Sequence, residues 1–183
     1  MKTVIIYIRG LNTKVESDWC GIRLFLEKLA ELLDADLIAL DYNDSAGLRG
    51  LEARLTAYDI ILGAGHSHGA AELFNWLQTT TRRFAVVVFL DLCPQWQPWA
   101  WMGAPWPAPD NCDKVITFYQ RNDTPLTGVR LAGENVQEHN VTSWGLRHSS
   151  MCADERVHER IALAMLWQHA AALKTNTKHT VGA

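Results

Sequence analysis

Leu-Gly-Ala-Gly-His-Ser-His-Gly-Ala-Ala, at residues 62–71, is the stretch on which the interpretation of this chain depends. It follows a short apolar run at 59–62. It precedes a segment of helical period marked by Leu73, Phe74 and Leu77. The stretch therefore predicts a tight turn that leads from a buried strand directly into a helix.

Ser67 stands at the centre of this turn, in a Gly-x-Ser-x-Gly pattern over 65–69. A serine in such a turn has a strained backbone, so the glycines at its flanks are needed where a Cβ atom would clash. The turn raises the serine Oγ above the sheet at the N-terminal end of the helix. Free N–H groups and the positive end of the helix dipole favour a developing oxyanion there. The pattern thus predicts a nucleophilic serine.

The composition of the chain excludes several classes of protein. Its 183 residues are 48% hydrophobic and 20% charged, which predicts one globular domain over 1–173, followed by a loose polar tail at 174–183. The net charge of −3 and the pI of about 6.1 argue against a nucleic-acid-binding protein and against electrostatic recruitment to anionic lipid.

Short apolar runs alternate with segments of helical period along the chain. This alternation is typical of βαβ units, so we expect an α/β fold with a doubly wound, mostly parallel sheet and helices on both faces. A last helix is predicted over 154–173. The six predicted strands cover residues 3–8, 35–40, 59–62, 84–90, 114–119 and 135–141.

His148 is the histidine best placed to activate the serine. It follows the last predicted strand by a short loop, and such loops open at the carboxyl edge of a parallel sheet, the same edge as Ser67. Asp91 and Asp123 both follow strands at that edge and could hold the imidazole. The sequence favours Asp123, because its loop precedes the strand of His148. Asp91 is the alternative acid.

An oxyanion hole needs two N–H donors. One is expected from the backbone of His68, directly after the serine. The loop after the first strand is expected to supply the other, the N–H of Leu11, because Gly10 permits a close approach of the backbone. Asn12 could add a side-chain hydrogen bond.

Residues 94–109 interrupt the alternation with four of the eight tryptophans and five of the six prolines. So much proline excludes a long helix or a central strand. The segment is either a loop folded back on the core, or a lid-like aromatic wall for an apolar group of the substrate. Its tryptophans are Trp96, Trp99, Trp101 and Trp106.

The chain order of Ser67, Asp123 and His148 resembles that of the α/β-hydrolase superfamily, in the minimal form of small lipases and cutinases. The resemblance extends over about residues 3–173 and implies a six-stranded sheet of order 2-1-3-4-5-6. It also implies a serine esterase of the superfamily, with an acyl-enzyme intermediate. One departure concerns the oxyanion loop, where Arg9 and Gly10 replace the His-Gly pair of the family.

Two other kinds of function fit parts of the pattern. His66 and His68 form a His-x-His pair that could bind a metal in a metal-dependent hydrolase, although no further ligand cluster follows. The chain could instead be a non-catalytic binding module on a hydrolase scaffold, with the tryptophan-rich segment as its contact surface.

The remaining expectations concern partners and location. We expect no cofactor or metal, a small-molecule ester or thioester with an apolar group as the substrate, no nucleic acid and no integral membrane association. The sequence leaves the oligomeric state open. The four cysteines show no metal-binding spacing, and the first apolar run is too short for a signal peptide. We therefore expect free thiols and a cytoplasmic location.

Overall fold

The computed structural model describes residues 1–10, 21–94, 102–123 and 126–180, of which 176–180 are described without side chains. The strands are β1 (Thr3–Arg9), β2 (Ala35–Asp41), β3 (Ile60–His66), β4 (Val86–Leu90), β5 (Trp106–Pro107), β6 (Val115–Tyr119), β7 (Leu131–Ala132) and β8 (Val136–Asn140). The helices are α1 (Ile22–Leu33), α2 (Ser45–Arg54), α3 (His68–Leu77) and α4 (Glu155–Thr180).

Six strands form one sheet in the order β2-β1-β3-β4-β6-β8, and every neighbouring pair is parallel. The prediction of a mostly parallel six-stranded α/β fold is confirmed. The two short strands β5 and β7 were not predicted. They pair in a separate ribbon and account for the difference between the observed strand numbers and the expected order 2-1-3-4-5-6.

The four inner strands β1, β3, β4 and β6 are buried along their whole length. Such strands need apolar residues on both faces, which explains their continuous apolar runs. One face packs against α1 and α4, and the other against α2 and α3. Along β1, for example, Tyr7 belongs to the first of these cores and Ile6 to the second.

The order of the strands reverses around β1, which lies between β2 and β3. In parallel α/β sheets the connections leave opposite faces at such a point and open a crevice at the carboxyl ends of the strands. The turn from β3 into α3 lies at this edge, so the topology places Ser67 beside the crevice.

The last helix differs from its prediction at the C-terminal end. α4 continues to Thr180, although the sequence predicted its end near 173 and a loose tail thereafter. Among the described residues, no helix combines the length and the apolar character needed to span a membrane.

Candidate active site

Ser67 lies between β3 and α3 with φ 58° and ψ −126°. A positive φ is costly for a residue with a side chain and persists only where its surroundings enforce it. Here the Ser67 N–H donates to the Leu90 carbonyl at 2.9 Å, and the Ser67 carbonyl accepts from the N–H groups of Ala71 at 3.2 Å and Cys93 at 3.3 Å. These three bonds connect the turn to α3, to β4 and to the loop after β4.

Glycines surround the serine where the backbones come too close for any side chain. A Cβ atom at Gly65 would lie 2.6 Å from the Cα of Ala70, and one at Gly69 would strike the backbone of β1. A Cβ at Gly10 would lie 2.7 Å from the Cβ of Ser67. The end of β1 therefore passes directly beside the serine, as the sequence predicted from Gly10.

The imidazole of His148 lies between Ser67 and a carboxylate. Its Nε2 atom is 2.9 Å from Ser67 Oγ, and its Nδ1 atom is 2.8 Å from Asp91 Oδ2. A carboxylate beside Nδ1 fixes the tautomer with the proton on that nitrogen. The lone pair of Nε2 then faces the hydroxyl of Ser67, which donates a hydrogen bond to the ring. The arrangement is a continuous hydrogen-bonded relay from serine to carboxylate.

Asp91 is fully buried and held in one orientation. Its Oδ2 also accepts from Gln120 Nε2 at 2.8 Å, and its Oδ1 accepts from the Gly128 N–H at 2.5 Å. Asp91 has a positive φ of 48°, and a Cβ atom at Gly128 would lie 2.9 Å from the Asp91 Cα. The buried charge is thus compensated by neighbouring donors, as a carboxylate removed from water requires.

The sequence favoured Asp123 as the carboxylate on the imidazole, and the structure places Asp91 there instead. Asp123 Oδ2 accepts from the backbone N–H of His148 at 2.8 Å, so it contacts the main chain and not the ring. The reason lies in the topology. Asp91 directly follows β4, which is hydrogen-bonded to β3, the strand that precedes Ser67. Asp123 follows β6, one strand further from the serine.

His66 also contacts His148, from the side of β3. The two rings stack with 5.0 Å between their centroids, and His66 Nε2 lies 3.2 Å from the His148 carbonyl oxygen, to which it donates. Burial, reinforced by repulsion from the charge that His148 carries when it is protonated, lowers the pKa of His66 to about 3. The sequence carried no signal for this contact with His148.

His68 turns its ring toward the loop after β4. Its Nδ1–H donates to the Cys93 carbonyl at 2.7 Å, and the ring lies 5.9 Å from that of Tyr42. As the first residue of α3, His68 has a backbone N–H with no carbonyl partner inside the helix. The sequence expected this N–H as the first oxyanion donor, and it lies at the N-terminal end of α3.

The metal hypothesis rested on His66 and His68, each of which uses one ring nitrogen on a backbone carbonyl. In the described part of the chain, the one cluster of three potential metal ligands is Asp91, Cys93 and His148. This cluster coincides with the relay, because the Nδ1 atom of His148 that it would use already faces Asp91. Burial and the charge of Asp91 raise the pKa of the Cys93 thiol, which disfavours the thiolate that metal binding needs.

The other expected site residues divide into two groups. Leu11, Trp96, Trp99 and Trp101 lie outside the described residues. Trp106 lies in β5 and packs on Phe74 of α3, with 5.4 Å between the ring centroids. This half-buried tryptophan covers the core on the α2 and α3 face, which corresponds to the interpretation of a segment folded back on the core.

No protein-family model and no curated protein matches the chain. Among solved structures, it is similar to a candidate hydrolase of the alpha/beta superfamily from Xanthomonas campestris pv. campestris. The two chains share 15% sequence identity with a TM-score of 0.47, over 94% of this chain and 98% of the other.

Proposed function

We propose that this protein is a serine hydrolase of the α/β-hydrolase type that cleaves a carboxylic ester or thioester through an acyl-enzyme. The observation that carries the proposal is the position of the His148 ring, within hydrogen-bond distance of both Ser67 Oγ and the buried Asp91 carboxylate. A serine hydroxyl is a poor nucleophile at its ordinary pKa and needs an oriented base at this distance.

Acylation begins when Ser67 Oγ attacks the substrate carbonyl carbon and His148 Nε2 accepts the hydroxyl proton. Asp91 holds the ring by its Nδ1–H and stabilises the imidazolium that forms. The imidazolium then gives its proton to the alkoxide or thiolate leaving group, and the carbonyl reforms as an acyl ester on Ser67. Asp91 takes the role of orienting acid in this proposal, in place of Asp123.

The negative charge that develops on the carbonyl oxygen needs donors beside Ser67. The N–H of His68 is one, at the positive end of α3. We retain the N–H of Leu11 as the proposed second donor, since Gly10 brings the end of β1 against Ser67. In deacylation His148 Nε2 takes a proton from water as the water oxygen attacks the acyl carbon. The bond to Ser67 Oγ then breaks, His148 returns the proton to Oγ, and the acid product leaves.

We choose an ester or thioester because the resemblance to small lipases and cutinases implies it, whereas the relay of Ser67, His148 and Asp91 itself suits any acyl transfer to serine. We further propose that the acyl or leaving group is apolar and that Trp96, Trp99 and Trp101 contribute to its binding. The support for this part is the aromatic composition of residues 94–109.

The test is labelling with a fluorophosphonate probe followed by peptide mass spectrometry. We expect one modified residue, Ser67, with fluoride as the leaving group, and no labelling of Ser67→Ala. A Ser150→Ala variant is the matched control, because Ser150 is an exposed serine near His148 in sequence and keeps Ser67 intact. A folded protein that is not labelled would contradict the proposal and favour a binding module on the same scaffold.

A further inference from the structure

A surface groove of about 460 Å³ lies between α4 and the β6–β8 edge of the sheet. It shares no residue with the candidate active site. The strands contribute Ile116 and His139, and α4 contributes Leu163 and Trp167. The two α4 side chains are 68% and 74% exposed, although both are large and apolar. An exposed apolar cluster in a concave site usually has a function.

Two cations line the same groove. Lys114 precedes β6 and Arg160 lies one turn before Leu163 on α4. No aspartate or glutamate is among the described residues that line the groove, and within the described part of the chain neither cation forms an ion pair. The chain as a whole carries a net charge of −3, so the groove has the opposite sign.

The field of both cations reaches the interior of the groove. The pKa of His139 is lowered, first by burial and then by the positive charges of Arg160 and Lys114. Arg160 also lies over the ring of Trp144, 5.2 Å from its centroid, a contact that orients the guanidinium and leaves its charge in place.

We propose that this groove binds a small organic anion with an apolar chain or ring. Lys114 and Arg160 recognise the anionic group, and Leu163, Trp167 and Ile116 cover the apolar part. An inorganic anion would leave the exposed tryptophan and leucine unused, and a neutral apolar molecule would leave the cations unused. The volume is that of a pocket for a small molecule.

Two fluorescent probes with the same aromatic rings test this charge requirement. 8-Anilinonaphthalene-1-sulfonate carries a sulfonate, and N-phenyl-1-naphthylamine does not. Both are titrated into the unmodified protein, because neither probe has an ester or thioester bond that the candidate active site could cleave. We expect saturable binding of the sulfonate at one site per chain, with roughly tenfold weaker binding of the neutral probe. Affinity for the sulfonate should fall as salt is raised, because the cations are accessible to solvent.

Variants then locate the bound sulfonate. The double variant Lys114→Gln/Arg160→Gln should weaken the binding of the sulfonate by about tenfold. The two probes should then bind with similar affinity. Lys28→Gln with Arg49→Gln removes the same charge from exposed positions on α1 and α2 and should leave binding unchanged. Trp167→Ala should weaken the binding of both probes, because both have the aromatic rings that Trp167 is proposed to cover.

Three results would overturn the proposal: equal affinity for the two probes, sulfonate binding that the Lys114 and Arg160 substitutions do not alter, or no saturable binding. In the last case, a dimer that dissociates in the Trp167→Ala variant would identify the groove as an interface between two copies of the chain. Because the groove shares no residue with the candidate active site, failure here leaves the proposed hydrolase function untouched.

Discussion

An aspartate after β4 and another after β6 both form hydrogen bonds with His148, but the two carboxylates contact different parts of it. Asp91, after β4, contacts the ring at Nδ1, whereas Asp123, after β6, contacts the backbone N–H. Asp91 is fully buried and Asp123 is partly exposed. Two residues of one type, both within hydrogen-bond distance of one histidine, thus hold different parts of it: one contacts the imidazole and the other contacts the backbone of its loop.

The same substitution at both aspartates gives the largest expected contrast. Asp91→Asn should lower kcat/KM for a p-nitrophenyl ester by about 10³- to 10⁴-fold, because a neutral amide stabilises the wrong tautomer and no longer balances the imidazolium. Asp123→Asn is the matched control. Its Oδ1 can still accept from the His148 N–H, so activity should stay near that of the unmodified protein. The reverse outcome would return the orienting role to Asp123.

Gln120 connects the two regions, and its loss should mainly affect stability. Its Nε2 donates to Asp91 Oδ2 and to the Leu126 carbonyl, and its Oε1 accepts from the N–H groups of Asn122 and Asp123. Gln120→Leu removes a donor from the buried Asp91 carboxylate and leaves three partly buried backbone groups without this partner. It should reduce the free energy of unfolding by roughly 3 kcal/mol. Urea denaturation measures this.

The control for that experiment is Gln78→Leu, at an exposed glutamine that follows α3. It should change the free energy of unfolding by less than about 0.5 kcal/mol. Similar losses in the two variants would mean that the Gln120 network does not connect the aspartates energetically.

The other side of His148 can be tested through pH. The pKa of His66 is about 3 in the folded protein and about 6.5 when unfolded, so the unfolded chain binds more protons between these values. The contribution of neutral His66 to the free energy of unfolding is fully present above pH 6.5. It falls by up to about 1.4 kcal/mol per pH unit as the pH drops toward 3. His66→Gln keeps an N–H donor without titrating. Between pH 8 and pH 5 it should lose about 2 kcal/mol less than the unmodified protein in urea denaturation.

Parallel loss of stability in the two proteins over that range would show that His66 is not held neutral against His148. His148 would then be held by Asp123 after β6, without a contribution from His66 at the end of β3.

The smallest effect is expected at the backbone contact of Asp123. Asp123→Ala removes the acceptor of the His148 N–H and should lower kcat/KM about fivefold, since one such hydrogen bond is worth about 1 kcal/mol net. Asp123→Asn should restore the rate. A loss that asparagine does not restore would assign the effect to the charge and not to the hydrogen bond.

The fold could be predicted from the sequence because its signals are local. Buried parallel strands require continuous apolar runs, and only Ser67 separates β3 from α3, so the pattern at 65–69 was placed correctly between a strand and a helix. The ribbon of β5 and β7 was not predicted, because two-residue strands have no periodicity to detect.

The choice between Asp91 and Asp123 depended on contacts that are remote in sequence. The position of Asp91 requires Gly128 to have no side chain, and it requires Gln120 to donate across β4 and β6. Neither requirement leaves a pattern near Asp91 itself. The contact between His66 and His148 is hidden for the same reason, since 82 positions separate the two residues.

The backbone hydrogen bonds of Ser67 determine when the candidate active site unfolds relative to the rest of the protein. The serine N–H belongs to the hydrogen-bond ladder between β3 and β4, and its carbonyl is bonded to the chain just beyond Asp91. The turn therefore cannot fray on its own while the central sheet remains intact. The amide proton of Ser67 should exchange with solvent at the rate of the slowest core amides, and the ability to react with a serine-directed reagent should disappear at the same denaturant concentration as the sheet.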